Sequence, residues 1–343
     1  MADIKNLVRK NILELVPYSS ARDEYSGPEA ILMDANENPY NSPFNRYPDP
    51  RQGKLKDKLA GIMKLSPEQV FLGNGSDEAI DLLIRVFCTP GADRIIIMDP
   101  SYGMYRVCAD INDVTVDYAE LNPDFSLNAE KILDRVKPST KLIFLCSPNN
   151  PTSNLLESSE ILRVLESFPG MVIVDEAYID FAGSEGLIPA LARHSNLVIL
   201  RTLSKAWAGA GIRLGMALGD PYVILLLSHV KYPYNVNLLT QEKAMEMLDD
   251  EKSKKEWVDM ILSERERLAG ELEQLEIVKK IHPSDANFLL VQVDDPDGLY
   301  AHLARGRLIV RNRSRLTHCS GCLRITIGTE DENRRLIEVM KSF

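Results

Sequence analysis

The 343-residue chain carries 40 lysines and arginines against 50 aspartates and glutamates, for a formal net charge of −10. This acidic balance disfavours nucleic-acid binding, because polyphosphates attract positively charged surfaces. No apolar run approaches the roughly 18 residues needed to cross a bilayer, and the first 20 residues lack the apolar stretch of a secretory signal. We therefore expect a cytoplasmic protein that binds neither membrane nor nucleic acid.

The first two thirds of the chain alternate short apolar runs, rich in β-branched residues, with helical stretches. This alternation is typical of α/β proteins with a mainly parallel sheet. The predicted strands are 69–72, 94–98, 114–118, 141–146, 171–174, 197–200 and 216–219, and the predicted helices between them include 77–88 and 157–168. Several of these strands end in polar residues, and open α/β sheets bind ligands beyond the carboxyl ends of their strands.

Beyond residue 235 the pattern changes to a long charged helix at 249–275, strands at 277–281, 287–293 and 323–327, and a last helix from residue 330. Residues 1–45 contain one helix and a segment rich in Pro and Asn, with no core of their own. We therefore predict a large domain at 46–240 and a smaller α+β domain made from 1–45 and 241–343.

The cysteines are odd in number and are expected to be reduced: Cys88, Cys108, Cys146, Cys319 and Cys322. The Cys319/Cys322 pair lacks the second pair, or the suitably spaced histidines, of a zinc site. No metal site is predicted.

Residues 73–78 (GNGSDE) follow a predicted strand and open a predicted helix. A helix N-terminus presents free N–H groups to a phosphate, and glycines allow close approach of the backbone. The alternative is an ordinary helix cap by Ser76 or Asp77. A dinucleotide-binding motif would need a third glycine at position 78, which is Glu78, so a nicotinamide enzyme is disfavoured.

Lys205 lies just beyond the strand at 197–200, next to Ser204 and eight residues before Arg213. A lone lysine is usually a solvated surface group. In a dry cleft, however, burial lowers the pKa of a lysine and makes its amine a carbonyl nucleophile. The glycines around it, at 209, 211 and 215, suit a bound phosphate.

Asp175 closes the buried strand at 171–174, and a buried carboxylate needs a cation. That cation is either an internal Arg or Lys or, in a functional site, a protonated heterocyclic nitrogen. Two prolines in residues 147–152 (SPNNPT) fix a turn after the neighbouring strand and direct Asn149 into the same region.

Together these sites resemble pyridoxal-phosphate enzymes of the aspartate-aminotransferase fold. Within that group the chain is similar to the histidinol-phosphate aminotransferase family. The matching segments are 33–40 (MDANENPY), 46–50 (RYPDP), 75–78 (GSDE), 147–152 (SPNNPT), 174–178 (VDEAY), 202–205 (TLSK) and 322–329 (CLRITIGT). One departure is Ser153, where the family usually has glycine.

The resemblance implies a fold-type I α/β structure with a mainly parallel seven-stranded sheet and a smaller α+β domain. It implies a homodimer in which Tyr47 reaches the partner subunit's cofactor, pyridoxal 5'-phosphate (PLP). The implied catalytic residues are Lys205, Asp175 and Tyr178: Lys205 binds the cofactor and moves the proton, and Asp175 keeps the ring nitrogen protonated. The implied cofactor-binding residues are Ser76, Asp77, Tyr102, Asn149, Asp175, Tyr178, Thr202, Ser204, Lys205, Arg213 and Tyr47.

The implied reaction transfers an amino group between L-histidinol phosphate and 2-oxoglutarate, with imidazole acetol phosphate and glutamate as the other pair. The substrate-binding residues would be Tyr18, Asn36, Arg311 and Arg324, whereas Arg313 and Arg315 are expected to be solvated. An aromatic amino-acid aminotransferase and a threonine-phosphate decarboxylase remain alternatives. A non-catalytic binding protein is disfavoured, because both Lys205 and Asp175 are present.

Overall fold

Two β-sheets organise the chain. The computed structural model describes residues 4–19, 21–24 and 30–343. The strands are β1 (Val70–Asn74), β2 (Arg94–Asp99), β3 (Thr115–Glu120), β4 (Thr140–Cys146), β5 (Met171–Asp175), β6 (Leu197–Thr202), β7 (Leu214–Gly219), β8 (Val278–Ile281), β9 (Phe288–Val293), β10 (Arg311–Asn312) and β11 (Cys322–Thr326).

The α-helices of the described residues lie between and around these strands. They are α1 (Lys10–Leu13), α2 (Ala21–Glu24), α3 (Gly53–Met63), α4 (Ser76–Phe87), α5 (Met104–Ile111), α6 (Ala129–Leu133), α7 (Ser158–Ser167), α8 (Pro221–Val230), α9 (Leu238–Leu248), α10 (Glu251–Leu272), α11 (Pro296–Arg305) and α12 (Glu330–Lys341). Within these ranges, no helix combines the length and the apolar character needed to cross a membrane.

The first sheet has seven strands in the order β1-β7-β6-β5-β4-β2-β3. Strands β3, β2, β4, β5 and β6 are mutually parallel, while β7 runs antiparallel to both of its neighbours. The predicted α/β fold with a mainly parallel seven-stranded sheet is therefore confirmed, and the predicted strands differ from the observed ones by at most two residues at either end.

The register of the central strands places their carboxyl ends side by side. Cys146 at the end of β4 pairs with Asp175 at the end of β5, and Asp175 pairs with Leu200 near the end of β6. Strand β5 is buried along its whole length, since helices cover both faces of a parallel sheet. The polar residues that follow these strands therefore meet at one edge of the sheet.

The second sheet is antiparallel, in the order β10-β11-β9-β8. Its core is formed by apolar side chains of β9 and β11 against one face each of α10, α11 and α12. Strand β10 has only two residues, too few for the period-two alternation that reveals a strand in sequence. It pairs with β11, so that Arg311 lies opposite Arg324.

The N-terminal segment packs against the larger unit. Ile4 and Val8 are buried in the core of the seven-stranded sheet, and the Arg9 guanidinium donates to the carbonyl of Arg85 in α4 at 2.8 Å. Residues 4–9 therefore contact the larger unit, whereas the predicted assignment of residues 1–45 to the smaller domain stays a prediction. The boundaries near residues 45 and 240 stay predictions.

Candidate active site

A cavity of about 170 Å³ opens at the carboxyl edge of the large sheet. It brings together most of the residues predicted from the sequence: Ser76, Asp77, Tyr102, Asp175, Tyr178, Thr202, Ser204, Lys205 and Arg213. A larger cavity of about 620 Å³ lies elsewhere, and its buried Glu176 is already paired with Arg201 at 2.8 Å. We place the chemistry in the smaller cavity, because it brings the buried Asp175, which forms no ion pair within the described residues, together with Lys205.

One wall of the cavity is the N-terminus of α4. Gly75 is the N-cap residue, at φ 81°, and no side chain of the described residues caps the helix there. The first N–H groups, beginning with Ser76, are therefore available to an anion. The Arg213 guanidinium lies beside them, 3.9 Å from Asp77 Oδ2. This geometry favours the anion-binding interpretation over a side-chain cap.

Glycine is required behind this turn. A Cβ on Gly215 would overlap the backbone nitrogen of Ser76, and a Cβ on Gly75 would lie 2.6 Å from the Arg213 guanidinium. Strands β1 and β7 pair Gly215 directly with Gly73, so the close approach is built into the sheet. The two glycines thus allow the helix N-terminus and Arg213 to converge on one point.

Asp175 lies on the cavity floor and is almost fully buried. Its Oδ2 accepts a hydrogen bond from the Tyr105 hydroxyl at 2.7 Å, and its Oδ1 accepts from the Ala177 amide at 3.1 Å. Burial raises the pKa of Asp175 to about 6, against the opposing effect of these hydrogen bonds and of Lys205. No described lysine or arginine forms an ion pair with it. Asp175 is thus a buried acid without the cation that its charge requires.

Tyr105 is a residue that the sequence analysis missed. Its side chain is fully buried and its ring stacks on Phe144 with centroids 5.0 Å apart. Burial and the Asp175 carboxylate raise the pKa of its phenol, so the hydroxyl remains a donor. In sequence it is one tyrosine in an amphipathic helix, which is typical of a core residue, and no motif distinguishes it.

Lys205 lines the same cavity as Asp175. Its Nζ lies 5.5 Å from the centroid of the Tyr178 ring. Burial lowers the pKa of Lys205, nearby Arg324 lowers it further, and Asp175 acts in the opposite direction. A lowered pKa increases the fraction of neutral amine, the form that attacks carbonyls and accepts protons.

Asn150, and not Asn149, lines the cavity. The side chain of Asn149 is occupied elsewhere: its Nδ2 donates to the Pro100 carbonyl and to Thr152 Oγ1, and its Oδ1 accepts from Ser101. These bonds hold the turn together, so the predicted cofactor role of Asn149 is corrected. The two asparagines are adjacent, and only the conformation of the turn determines which one faces inward.

Ser153 adopts the left-handed backbone conformation, at φ 67°. Glycine, usual here in the resembling family, reaches this region without strain. The serine hydroxyl donates to the carbonyls of Thr152 at 2.6 Å and Pro283 at 3.1 Å. The second bond links the turn to the segment that leads into β9, a contact that glycine could not make.

Arg324 lies beside the cavity and contacts Asn150 of its lining. Its Nη1 donates to Asn150 Oδ1 at 2.6 Å, and its guanidinium carbon lies 5.3 Å from the centroid of the Phe288 ring. Asn150 Nδ2 also lies 3.4 Å from the Tyr178 hydroxyl. The Arg324 Nε is buried without a partner in the described structure. This guanidinium is thus held rigidly with donor capacity left for an oxyanion.

Besides Asn149, Arg311 and Arg324, three predicted residues do not line this cavity in a single protomer: Tyr18, Asn36 and Tyr47. Tyr47 is 51% exposed and stacks on Tyr234 with ring centroids 4.5 Å apart, and Asn36 borders the same surface depression as Tyr47. Tyr18 is 71% exposed and borders a separate cavity near Lys56. Any role of these three in the reaction therefore depends on a second copy of the chain or on movement of the N-terminal segment.

All five cysteines are free thiols and buried. Burial raises the pKa of Cys319 to about 12 and that of Cys322 to about 11, so neither is a thiolate near neutral pH. No group of side chains suited to a metal ion is found within the described ranges.

The site combines a buried acid, Asp175, with a lysine of lowered pKa, Lys205, and a rigidly held arginine, Arg324. Beside them, the N-terminus of α4 offers free amides to a phosphate. This combination is that of the aminotransferase fold. The chain belongs to the family Aminotransferase class I and II, whose sequence pattern matches residues 22–340. It is 52% identical over 342 residues to the histidinol-phosphate aminotransferase of Parabacteroides distasonis, covering 100% of this chain and 99% of that one.

Solved structures agree with this assignment. The histidinol-phosphate aminotransferase of Clostridium acetobutylicum superposes with a TM-score of 0.80 at 25% identity, covering 87% of this chain and 90% of that one. The histidinol-phosphate aminotransferase of Sinorhizobium meliloti, in complex with pyridoxal-5'-phosphate, superposes with a TM-score of 0.76, covering 87% of this chain and 83% of that one. At 21% identity, the second similarity shows the fold alone.

Proposed function

We propose that this chain is a PLP-dependent histidinol-phosphate aminotransferase of the cytoplasm. It exchanges an amino group between L-histidinol phosphate and 2-oxoglutarate, in the pathway that makes histidine. The observation that carries the proposal is the cavity lined by both Lys205 and Asp175, with Arg324 close enough to lower the pKa of Lys205. Full-length relatives of this name support the choice of substrate.

The side chains around the cavity fit PLP. The unpartnered, buried Asp175 is suited to a protonated ring nitrogen, which supplies the missing cation. The free amides at the start of α4, with Ser204 and Arg213, are suited to the cofactor phosphate. Tyr178 and Asn150 are placed to hydrogen-bond the ring hydroxyl, and PLP, when bound, supplies the electron sink of the reaction.

Lys205 moves the proton. Its lowered pKa increases the fraction of neutral amine, which would take the proton from Cα of the amino donor and deliver it to C4' of the cofactor on the same face. Tyr178, below the amine, limits the positions open to Nζ. Tyr102, whose hydroxyl donates to Asp77 Oδ1 at 3.2 Å, is placed to cover the other face of the ring and exclude water.

Arg324 binds the oxyanion of each substrate in turn. The α-carboxylate of glutamate and the phosphate of histidinol phosphate occupy equivalent positions relative to the amine. A guanidinium fork matches both groups. Asn150 and Phe288 hold this fork in place before substrate arrives, and this reduces the entropy lost on binding.

We also propose a homodimer in which Tyr47 of one copy reaches the cofactor phosphate of the other. The Tyr47 backbone is held by the buried Glu37, which accepts from the Tyr47 amide at 2.6 Å and pairs with Arg22 and Arg46. Burial alone would raise the pKa of Glu37, but the two arginines bring it down to about 2. These contacts fix the Tyr47 backbone, as is needed if the exposed Tyr47 side chain is to complete the active site of the other subunit.

Single-turnover absorbance of the bound cofactor tests the proposed reaction. Histidinol phosphate and glutamate should each convert the cofactor to its amine form, and phenylalanine should do so much more slowly. Release of carbon dioxide from threonine phosphate, without conversion by glutamate, would instead identify a decarboxylase. Light scattering of the holoenzyme tests the dimer, and Tyr47→Phe should then release the cofactor more readily.

A further inference from the structure

Three arginines lie close together at the β10–β11 pair, and one of them, Arg324, donates to Asn150 in the cavity lining. Arg311 lies opposite Arg324 in the β10–β11 pair. Arg313 follows two residues later, and its amide donates to the Cys322 carbonyl at 2.8 Å, which continues the pairing. Side chains at i and i+2 of a strand point to the same face, so Arg313 shares the face of Arg311 and Arg324. None of the three has an ion-pair partner among the described residues.

Arg313 differs from its neighbours in burial. Arg311 and Arg315 are exposed, whereas Arg313 is partly buried and its Nε has no hydrogen-bond partner in the described structure. Burial lowers the pKa of Arg313, and the positive charges of Arg324 and Arg311 lower it further. An arginine stays charged in such surroundings. The partly buried Arg313 guanidinium is therefore destabilised in the absence of a bound anion. Arg313 is thus less solvated than Arg311 and Arg315.

The segment that carries Arg313 is held firmly. The Arg313 carbonyl accepts from the Leu316 amide at 3.0 Å, which closes a turn. Ser314 Oγ donates to Asn312 Oδ1 at 2.6 Å, and Thr317 Oγ1 donates to Asp99 Oδ2 at 2.5 Å. Asp99 ends β2 of the large sheet, so the turn is tied to that sheet. The backbone that carries Arg313 is thus held in place.

We propose that Arg313 binds the phosphate of histidinol phosphate jointly with Arg324 and thereby favours phosphate over carboxylate substrates. A carboxylate carries one charge and is satisfied by the fork of Arg324. A phosphate ester carries nearly two charges and presents three oxygens, so that a second guanidinium adds charge-assisted hydrogen bonds that a carboxylate cannot fully use. This proposal rests on the proposed function.

The test compares Arg313→Gln with Arg315→Gln in the holoenzyme. Both variants remove one positive charge from the same turn, but Arg315 is exposed. For Arg313→Gln we expect kcat/KM for histidinol phosphate to fall by about 10- to 150-fold, mainly through KM, as for loss of charge-assisted hydrogen bonds. The glutamate half-reaction should change far less. Arg315→Gln should leave both reactions unchanged, and Arg313→Lys should recover part of the loss.

Equal losses on both substrates in Arg313→Gln would overturn the proposal, because they indicate a structural role. An unchanged kcat/KM for histidinol phosphate would also overturn it. A second readout does not depend on the natural substrate: inorganic phosphate should inhibit the glutamate half-reaction more weakly in Arg313→Gln and Arg313→Lys than in the parent enzyme. If the parent enzyme did not use histidinol phosphate, the proposed function would fail, while this inhibition would still decide whether Arg313 binds phosphate.

Discussion

Asp175 should destabilise the cofactor-free protein at neutral pH, and Asp175→Asn should remove that cost. The carboxyl is buried, and burial raises its pKa from 3.8 to about 6. Asparagine keeps the shape and the hydrogen bonds, because its oxygen can accept from the Ala177 amide and its amide can donate to the Tyr105 oxygen. The variant therefore differs from the parent mainly in charge.

The magnitude follows from linkage. A carboxyl group whose pKa is raised in the folded state does not lower the free energy of unfolding below pH 3.8, where it is protonated in both the folded and the unfolded state. Stability is then lost as the pH rises through about 6, to a total of about 3 kcal/mol. Between pH 4.5 and pH 8 the loss is about 2 kcal/mol, because part of it has already occurred at the lower pH. The free energy of unfolding of Asp175→Asn should not fall in this way, because asparagine does not titrate.

Urea unfolding of the cofactor-free proteins at both pH values measures the effect. The variant should gain about 2 kcal/mol relative to the parent between pH 4.5 and pH 8. Tyr105→Phe is the matched comparison: it removes a hydrogen bond to the ionised carboxylate, so its stability should keep falling above pH 6. With PLP bound, Asp175→Asn should instead retain cofactor poorly and slow proton transfer by orders of magnitude. A stability difference that did not change with pH would refute the reasoning.

Two further predictions concern the cavity. Lys205→Ala should abolish turnover with little change in folding, and borohydride reduction of the parent enzyme followed by peptide mapping should label Lys205; a label on another lysine would contradict the assignment. Gly215→Ala should destabilise the protein by about 1–3 kcal/mol and weaken cofactor binding, because the new methyl group overlaps the Ser76 amide. Gly270→Ala, at an open position in α10, is its control and should stabilise the helix by about 0.5–1 kcal/mol. Equal effects of the two glycine variants in thermal unfolding would argue against the close approach.

Much of the site could be predicted because its signals are local. Asp175, Ser204 and Lys205 each follow a buried strand within a few residues, and the carboxyl ends of parallel strands must meet at one edge. The helix terminus at Ser76 is equally local, because a glycine-flanked turn before an amphipathic helix leaves its amides open. For these residues the order of strands and polar ends indicated the region of the site, whereas their roles were implied by the resemblance of the combined motifs to an aminotransferase family.

Other residues depend on contacts that have no local signal. From its position in the helix, Tyr105 is predicted to be a core residue. It takes part in the site only because β5 places Asp175 within hydrogen-bond distance of its hydroxyl. The choice between Asn149 and Asn150 depends on bonds from Pro100 and Ser101, nearly 50 residues away in the chain. Sequence periodicity cannot distinguish two adjacent residues of the same type.

The amino-acid sequence by itself determined the fold class, the position of the seven strands and the chemistry at their ends, because hydrophobic periodicity and turn residues act over a few positions. Only the tertiary structure decided that Ile4 and Val8 pack on the large core and that Arg313 is partly buried while Arg311 and Arg315 are exposed. These outcomes depend on which distant surfaces meet. Strand periodicity is a property of a single segment. The burial of a side chain, in contrast, depends on which other segments the fold packs against it.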